Sequence, residues 1–180
     1  MPLIKQGRIT IDPFSSVVDG EPLPASGPIL VGFARWQEDR GLLEPRAEAV
    51  GICLKPADPV EQIAVDLDRV ALIALEFPKF SDGRAFSQAR ILRQRYGFKG
   101  EIRATGRVLR DQLLFMHRSG FDSYEVGDDV TPEILARALG TFSAAYQPAA
   151  DGRRSVPLLR NGAPPDNSHT PISQPGICAG

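Results

Sequence analysis

The chain has 180 residues, a length that suits one domain with a sizeable core. Its 21 Lys and Arg are balanced by 22 Asp and Glu, so the formal net charge is −1 and no basic excess is present for a nucleic-acid or acidic-membrane surface. No apolar run could span a bilayer and the first residues show no signal-peptide core, so we expect a cytoplasmic protein without nucleic-acid or membrane partners.

The two cysteines predict neither a disulfide framework nor a metal centre. Cys53 lies in the apolar run AVGICL, and Cys178 lies near the end of the sequence. A zinc or iron–sulfur centre needs about three or four clustered ligands. We therefore expect no metal site and no cofactor, and we interpret Cys53 as a small buried residue.

Residues 1–28 are rich in turn-forming residues and predict an N-terminal extension or an edge hairpin. From residue 29 onward, apolar runs alternate with segments of helical periodicity. Asp58-Pro59 and Thr131-Pro132 are typical helix starts. The predicted strands are Ile29–Phe33, Ala49–Leu54, Ala71–Phe77, Glu101–Ala104 and Ser123–Val126, and a helix is predicted after each of them.

This alternation predicts an α/β domain over residues 29–146, with about five mainly parallel strands and helices on both faces. The number of elements fits the flavodoxin-like, doubly wound relative of the Rossmann fold, and a partial barrel is the architectural alternative. From residue 147 the chain is rich in Pro, Gly, Ser and Asn, so residues 147–180 are predicted to form a disordered tail.

Two polar turns follow the third and fourth predicted strands. In an open parallel sheet, ligands bind beyond the carboxyl ends of the strands. Each turn also leads into a helix N-terminus, whose free N–H groups favour an anion, and arginine can bind an oxyanion with two hydrogen bonds. We therefore predict a site for a small anionic ligand, formed by Ser81, Asp82, Gly83, Arg84, Ser87, Arg103, Thr105, Gly106, Asp111 and Gln112.

The same residues also have ordinary structural uses as helix caps, turn glycines and surface pairs. Glu76 and Asp82 are the candidate catalytic carboxylates, and catalysis would require a raised pKa; a structural carboxylate at Glu76 is the alternative. The phosphate-loop, dinucleotide and nucleophile-elbow motifs are absent from the sequence. A nucleic-acid regulator would need a basic face formed by Arg90, Arg93, Arg95 and Arg110. The alternative interpretation is that these arginines are an ordinary solvated helix surface.

The segment Phe77–Gln112, FPKFSDGRAFSQARILRQRYGFKGEIRATGRVLRDQ, is followed by RSGFDSYEV. Together they resemble the bacterial domain-of-unknown-function family 934. The likeness covers about Ile29–Phe142 and leaves the Pro-rich tail outside. The family usually has an acidic residue at the position of Arg107, a departure that shifts weight to Arg84 and Arg103 as ligand contacts.

The resemblance implies a role in assimilatory sulfite reduction, since the family is similar to proteins encoded beside sulfite reductase and often labelled oxidoreductases of that pathway. It implies an accessory protein of sulfate assimilation and cysteine biosynthesis, with sulfite reductase as a candidate partner. The alternative is a small independent oxidoreductase, or another enzyme acting on an anionic sulfur or phosphate metabolite. An accessory should expose an apolar patch, whereas an enzyme should have a deep pocket with perturbed carboxylates at Glu76 or Asp82.

Overall fold

The computed structural model describes residues 1–140; the end of the last predicted helix and the predicted tail, residues 147–180, lie outside the described residues. The strands are β1 Leu3–Lys5, β2 Arg8–Thr10, β3 Ser15–Val17, β4 Ile29–Gly32, β5 Val50–Leu54, β6 Val70–Phe77, β7 Glu101–Gly106 and β8 Ser123–Glu125. The α-helices are α1 Phe33–Glu38, α2 Arg40–Leu43, α3 Arg84–Arg90, α4 Leu113–Ser119 and α5 Pro132–Gly140. Short 3-10 helices cover Val60–Asp66 and Arg110–Gln112, and a π-helical turn, Ile91–Arg95, extends α3. None of the helices in this part of the chain has the length and apolar character needed to cross a membrane.

The eight strands form one mixed sheet in the order β2-β1-β8-β7-β6-β5-β4-β3. From β3 to β8 the neighbours are parallel and follow chain order, whereas β1 pairs antiparallel with both β2 and β8. The predicted α/β class is confirmed. The predicted doubly wound sheet of about five strands is wrong, because a doubly wound sheet reverses its strand order at a switch point and this sheet has no such reversal.

The described helices pack on one face of the sheet. Their buried residues, such as Trp36, Ala89 and Met116, form one large apolar cluster with strand residues that point to this face of the sheet, such as Ile52 and Ile73. The opposite face has a smaller cluster to which no described helix contributes; it consists of Leu30, Leu72 and Ala74, packed by Phe14 and Cys53. The predicted placement of helices on both faces is therefore wrong. Right-handed crossovers between strands that advance in one direction place every helix on the same side.

The chain connectivity requires the sheet to curl. Strands β2 and β3 lie at opposite edges of the sheet, yet only residues 11–14 connect them. Five extended residue steps, from Thr10 to Ser15, reach about 18 Å. The edges of a flat eight-stranded sheet would lie about 34 Å apart, at about 4.8 Å per strand spacing. The two edges must therefore approach each other, which favours the barrel-like alternative and turns the helix-free face inward.

Candidate functional site

The two polar turns lie side by side at the carboxyl edge of the sheet. Strands β6 and β7 stay paired up to their last residues, where Phe77 is opposite Gly106. The backbone N–H of Arg107 donates to the carbonyl oxygen of Phe77 at 2.8 Å. Gly106 has a φ of +83°, and a Cβ at this position would lie 2.7 Å from the same oxygen. Glycine is therefore required where the second turn begins against the end of β6.

In the first turn, Arg84 pairs with Asp82. The Asp82 carboxylate accepts hydrogen bonds from Arg84 Nε at 3.0 Å, Arg84 Nη2 at 2.7 Å and the Arg84 backbone N–H at 3.2 Å. The hydrogen bond from the Arg84 guanidinium holds the pKa of Asp82 below its ordinary value. The position of an incoming anion at the start of α3 is thus occupied by a carboxylate of the protein itself. The exposed residues Ser81, Gly83 and Ser87 surround this pair along the turn and α3.

Arg103 lies elsewhere, on the inward face of β7, where its side chain is 0% exposed. Its Nη1 is 2.6 Å from Asp12 Oδ2, and Nε and Nη2 donate to Glu101 Oε1 at 3.2 and 3.1 Å. Glu125 Oε1 lies 3.6 Å from Nη1, and the ring of Phe14 faces the guanidinium at 5.7 Å. The structure therefore does not bring Arg103 together with Arg84, and three carboxylates already compensate the charge of Arg103.

The groups around Arg103 form a network that we call the inner charge cluster: Lys5, Asp12, Glu101, Arg103, Ser123 and Glu125. Lys5 Nζ lies 2.5 Å from Glu101 Oε2, and the Ser123 hydroxyl donates to Glu101 Oε1 at 2.5 Å. Burial by itself would raise the pKa of Glu101, but these two hydrogen bonds and the charge of Arg103 hold it below its ordinary value.

Glu125 responds in the opposite direction. Burial raises its pKa, and the neighbouring charge of Asp12 adds to the increase, whereas Arg103 lowers it by less. The inner charge cluster has two cations and three carboxylates, so it holds one negative charge too many when all of its groups are ionised. Burial therefore favours the protonated form of Glu125, whereas the pKa of Glu101 is lowered.

Cys53 and Glu76 lie on the same inward face near its carboxyl end. Cys53 is level with Ala74 and Arg103 across the strands, and Glu76 is opposite Thr105. Burial raises the pKa of the Cys53 thiol to about 11, and the charges of Glu76 and Glu125 contribute. At neutral pH the thiol is therefore protonated and is not an activated nucleophile. Within residues 1–140, no group of three or more His, Cys, Asp or Glu side chains is arranged to hold a metal ion.

Asp111 and Gln112 lie in the 3-10 helix that follows the second turn. Asp111 is exposed, and Gln112 is half-buried with its Oε1 atom lacking a hydrogen-bond donor in the described part of the chain. Of the predicted site residues, the structure thus groups Ser81–Arg84 with Gly106 at the edge. It places Thr105 and Arg103 inside the curled sheet.

Sequence reasoning missed most of the inner charge cluster. A local signal was present, because Glu101 and Arg103 alternate in one short strand and Ser123 and Glu125 alternate in another, which places polar groups on one face. Asp12 had no such signal, since it lies 91 residues from Arg103 along the chain.

A comparison with family models finds one that is described as "Bacterial protein of unknown function (DUF934)" and matches residues 51–157. No curated protein and no solved structure matches the chain. The family match extends past residue 147, so the prediction that the likeness leaves out the whole Pro-rich tail is wrong. The matched range contains four members of the inner charge cluster, namely Glu101, Arg103, Ser123 and Glu125. Because the match covers more than half of the 180 residues, the chain belongs to the DUF934 family of bacterial proteins of unknown function.

Proposed function

We propose that the protein is a cytoplasmic accessory of assimilatory sulfite reduction and that it binds a small anion at the carboxyl edge of β6 and β7. The support for this pathway is that the family resembles proteins encoded beside sulfite reductase. The chain has two cysteines, fewer than the four thiolates that usually hold an iron–sulfur cluster. The reductive chemistry therefore belongs to the reductase, and this protein supports it.

The observation that carries the accessory role is the exposure of two phenylalanine side chains. Phe115 on α4 is 54% exposed, and Phe80 in the turn after β6 is 57% exposed. The Phe115 ring lies 4.6 Å from Phe86, which in turn packs on the buried Phe77 at 5.0 Å. Exposed aromatic rings anchored on a rigid core are suited to protein contacts.

Charge at the carboxyl edge supports anion binding. The two turns and the residues that follow them carry Lys79, Arg84, Arg107 and Arg110 against only two carboxylates, Asp82 and Asp111. Asp82 competes for Arg84, so anion binding should be weak in the unaltered protein.

The anion site is tested by thermal unfolding in increasing sulfate, with chloride at matched ionic strength as the control. We expect sulfate to raise the midpoint by mass action. Asp82→Asn should increase this response because Arg84 is released, and Arg84→Ala should reduce it. Equal responses in all three proteins would contradict an anion site at this edge.

The accessory role is tested first in a strain that lacks the gene. Growth should be poor with sulfate or sulfite as sulfur source and normal with sulfide or cysteine. The purified protein should turn over no sulfite alone and should raise the activity of sulfite reductase with its electron donor. Phe80→Ser/Phe115→Ser should lose this stimulation, with Ile11→Ser, also exposed, as the matched control. Normal growth of the deletion strain on sulfate would exclude the pathway.

One observation favours the alternative of an independent enzyme. Glu125, whose pKa is raised by burial, lies close to Arg103 and faces the inside of the sheet, and a carboxyl group of this kind can serve as a general acid. If this alternative is correct, Glu125→Gln should fail to restore growth of the deletion strain on sulfate while retaining its fold. Full restoration by Glu125→Gln would exclude catalysis through this group.

A further inference from the structure

The π-helical turn at the end of α3 changes which residues share a face. The backbone N–H of Tyr96 donates to the carbonyl oxygen of Ile91 at 3.1 Å, a contact between residues five apart. In an α-helix, residues five apart differ by about 140° around the axis. In a π-helical turn, whose hydrogen bonds join residues five apart, such residues lie closer to the same face.

The turn separates three arginines that the sequence places close together. Arg93 points towards the protein and donates to the carbonyl oxygens of Phe98, Gly100 and Gly120, at 2.6, 2.9 and 3.0 Å. It also forms an ion pair with Asp122. Arg93 is thereby removed from the outer surface, and the basic face considered for nucleic acid loses a central member.

Arg90 and Arg95 remain on the outside and line one open cleft of about 330 Å³, which we call the α3 basic cleft; its other residues are Ser87, Ile91 and Gln94. Both arginines are exposed, and neither pairs with a carboxylate within residues 1–140. The Arg95 guanidinium also lies 5.6 Å from the ring of Tyr96, which orients it. The cleft therefore presents two exposed guanidinium groups, one of them held by an aromatic ring, together with a hydroxyl, an amide and an aliphatic side chain.

The chemistry of the cleft selects an acidic polypeptide over other anions. A nucleic-acid surface relies on about 6–10 phosphate contacts, many more than two arginines supply. A single tetrahedral anion could pair with the guanidinium groups but would leave Ile91 and the rest of this open cleft uncovered. Two carboxylates on adjacent turns or alternate strand positions match two guanidinium groups, and the intervening chain can cover Ile91.

We propose that the α3 basic cleft binds an acidic segment of a partner protein through two of its carboxylates. The identity of that partner as a component of sulfite reduction rests on the proposed function. The recognition chemistry rests on Arg90, Arg95 and the π-helical turn alone. The residues that line the cleft include neither Phe80 nor Phe115.

The inference is tested by adding an acetylated hexaglutamate peptide to the ¹⁵N-labelled full chain at low ionic strength and recording amide shifts. The shifts should concentrate at residues 87–96. Arg90→Glu/Arg95→Glu should weaken binding at least about tenfold, because two attractive contacts become repulsive. The control Arg8→Glu/Lys99→Glu makes the same change in net charge at exposed positions elsewhere and should retain the affinity. Arg90→Gln/Arg95→Gln provides a milder variant if the double reversal unfolds.

Shifts centred outside residues 87–96, or equal losses in the two charge-reversed proteins, would overturn the site. Tighter binding of inorganic phosphate or of a short DNA duplex at these residues would overturn the class of ligand. The deletion strain separates this inference from the proposed function. Normal growth on sulfate removes the pathway and leaves the peptide result standing, whereas a failed titration removes the cleft and leaves the growth result standing.

Discussion

At the scale of single residues, Arg103 is a fully buried cation whose carboxylate partners come from three parts of the chain. Removing a charge from water is costly, and a buried ion pair contributes to stability only when hydrogen bonds satisfy its groups. Arg103 meets this condition through Asp12 and Glu101. Loss of Arg103 would leave three carboxylates close together without its positive charge. The stability of the inner charge cluster therefore depends on Arg103.

Arg103→Met should lower the free energy of unfolding by about 3–5 kcal/mol, the usual cost of leaving one side of a buried pair unpaired. Urea unfolding followed by circular dichroism measures this change. Arg84→Met, which removes an exposed arginine paired with a single carboxylate, should leave stability close to that of the unaltered protein. A cost below about 1 kcal/mol for Arg103→Met would show that the inner carboxylates accommodate themselves without the arginine.

The two inner glutamates should give opposite pH dependences. The pKa of Glu125 is raised in the folded protein, so its proton favours folding and stability is lost as pH rises through the raised value. The pKa of Glu101 is lowered, so its contribution is present above the ordinary carboxyl pKa and is lost as pH falls. Above about pH 4, Glu125→Gln should gain stability relative to the unaltered protein as pH rises. Below about pH 4, Glu101→Gln should gain stability relative to the unaltered protein as pH falls, because only the unaltered protein loses the contribution of the ionised Glu101. Parallel curves for both variants would contradict this assignment.

The same residues mark how much of the site was predictable. Turn chemistry is local, so the sequence could indicate Asp82, Gly83 and Gly106 as residues of two turns at one edge. The role of Arg103 depends on Asp12, 91 residues away, which no local pattern connects to it. The sequence can show that such a residue is polar and lies in a strand. Its interaction partners come from distant segments and can be identified only once the topology is known.

At the scale of elements, all five predicted strands occur with shifts of one or two residues, because their apolar runs are long enough to show a pattern. Strands β1, β2 and β3 have three residues each, too few for a periodicity, and they exist because remote strands pair with them. After β5, Asp58 was predicted to cap an α-helix. Its carboxylate accepts a hydrogen bond from the Lys55 backbone N–H at 2.7 Å instead, and Val60–Asp66 forms a 3-10 helix.

The junction between β6 and β7 gives a prediction for an element boundary. Gly106→Ala should destabilise the protein by about 1–3 kcal/mol, since alanine would combine a strained φ with a close contact to the Phe77 carbonyl oxygen. Gly41→Ala in α2 is the control: a Cβ there meets no atom within 4 Å, and alanine favours a helix. Thermal unfolding of both variants checks the contrast, and equal midpoints would show that the two turns are not tightly held together.

At the scale of the whole molecule, the N-terminal residues are part of the sheet at both of its edges. Residues 1–28 supply three of the eight strands and the carboxylate of Asp12. Composition could not show this, because a turn-rich segment has the same composition whether it is an extension outside the domain or supplies strands to the sheet. The curl of the sheet likewise follows from a connection of four residues, and it becomes apparent only when the strand order is known.

Deletion of residues 1–28 should therefore abolish cooperative unfolding. The deletion removes β1 from the edge of β8 and β3 from the edge of β4. It also removes Lys5, the partner of Glu101, and Asp12, a partner of Arg103. The measurement is a urea titration followed by both tryptophan fluorescence and circular dichroism. Ile11→Ser, a change at a residue that is 94% exposed in the same segment, should unfold like the unaltered protein. A cooperative transition in the truncated protein would show that residues 29–140 hold together without the N-terminal strands.

The pairing of β1 with β8 also has a consequence for synthesis on the ribosome. The first strand to leave the exit tunnel has no partner in the parallel part of the sheet until the eighth strand emerges, more than one hundred residues later. During that interval, strands β4 to β7 can pair in the order in which they are translated. The hairpin of β1 and β2 stays unattached to this sheet, and β1 keeps one edge without a partner strand. Folding is therefore completed only when Ser123–Glu125 becomes available, so a nascent chain halted before β8 would carry an open edge at each end of its growing sheet.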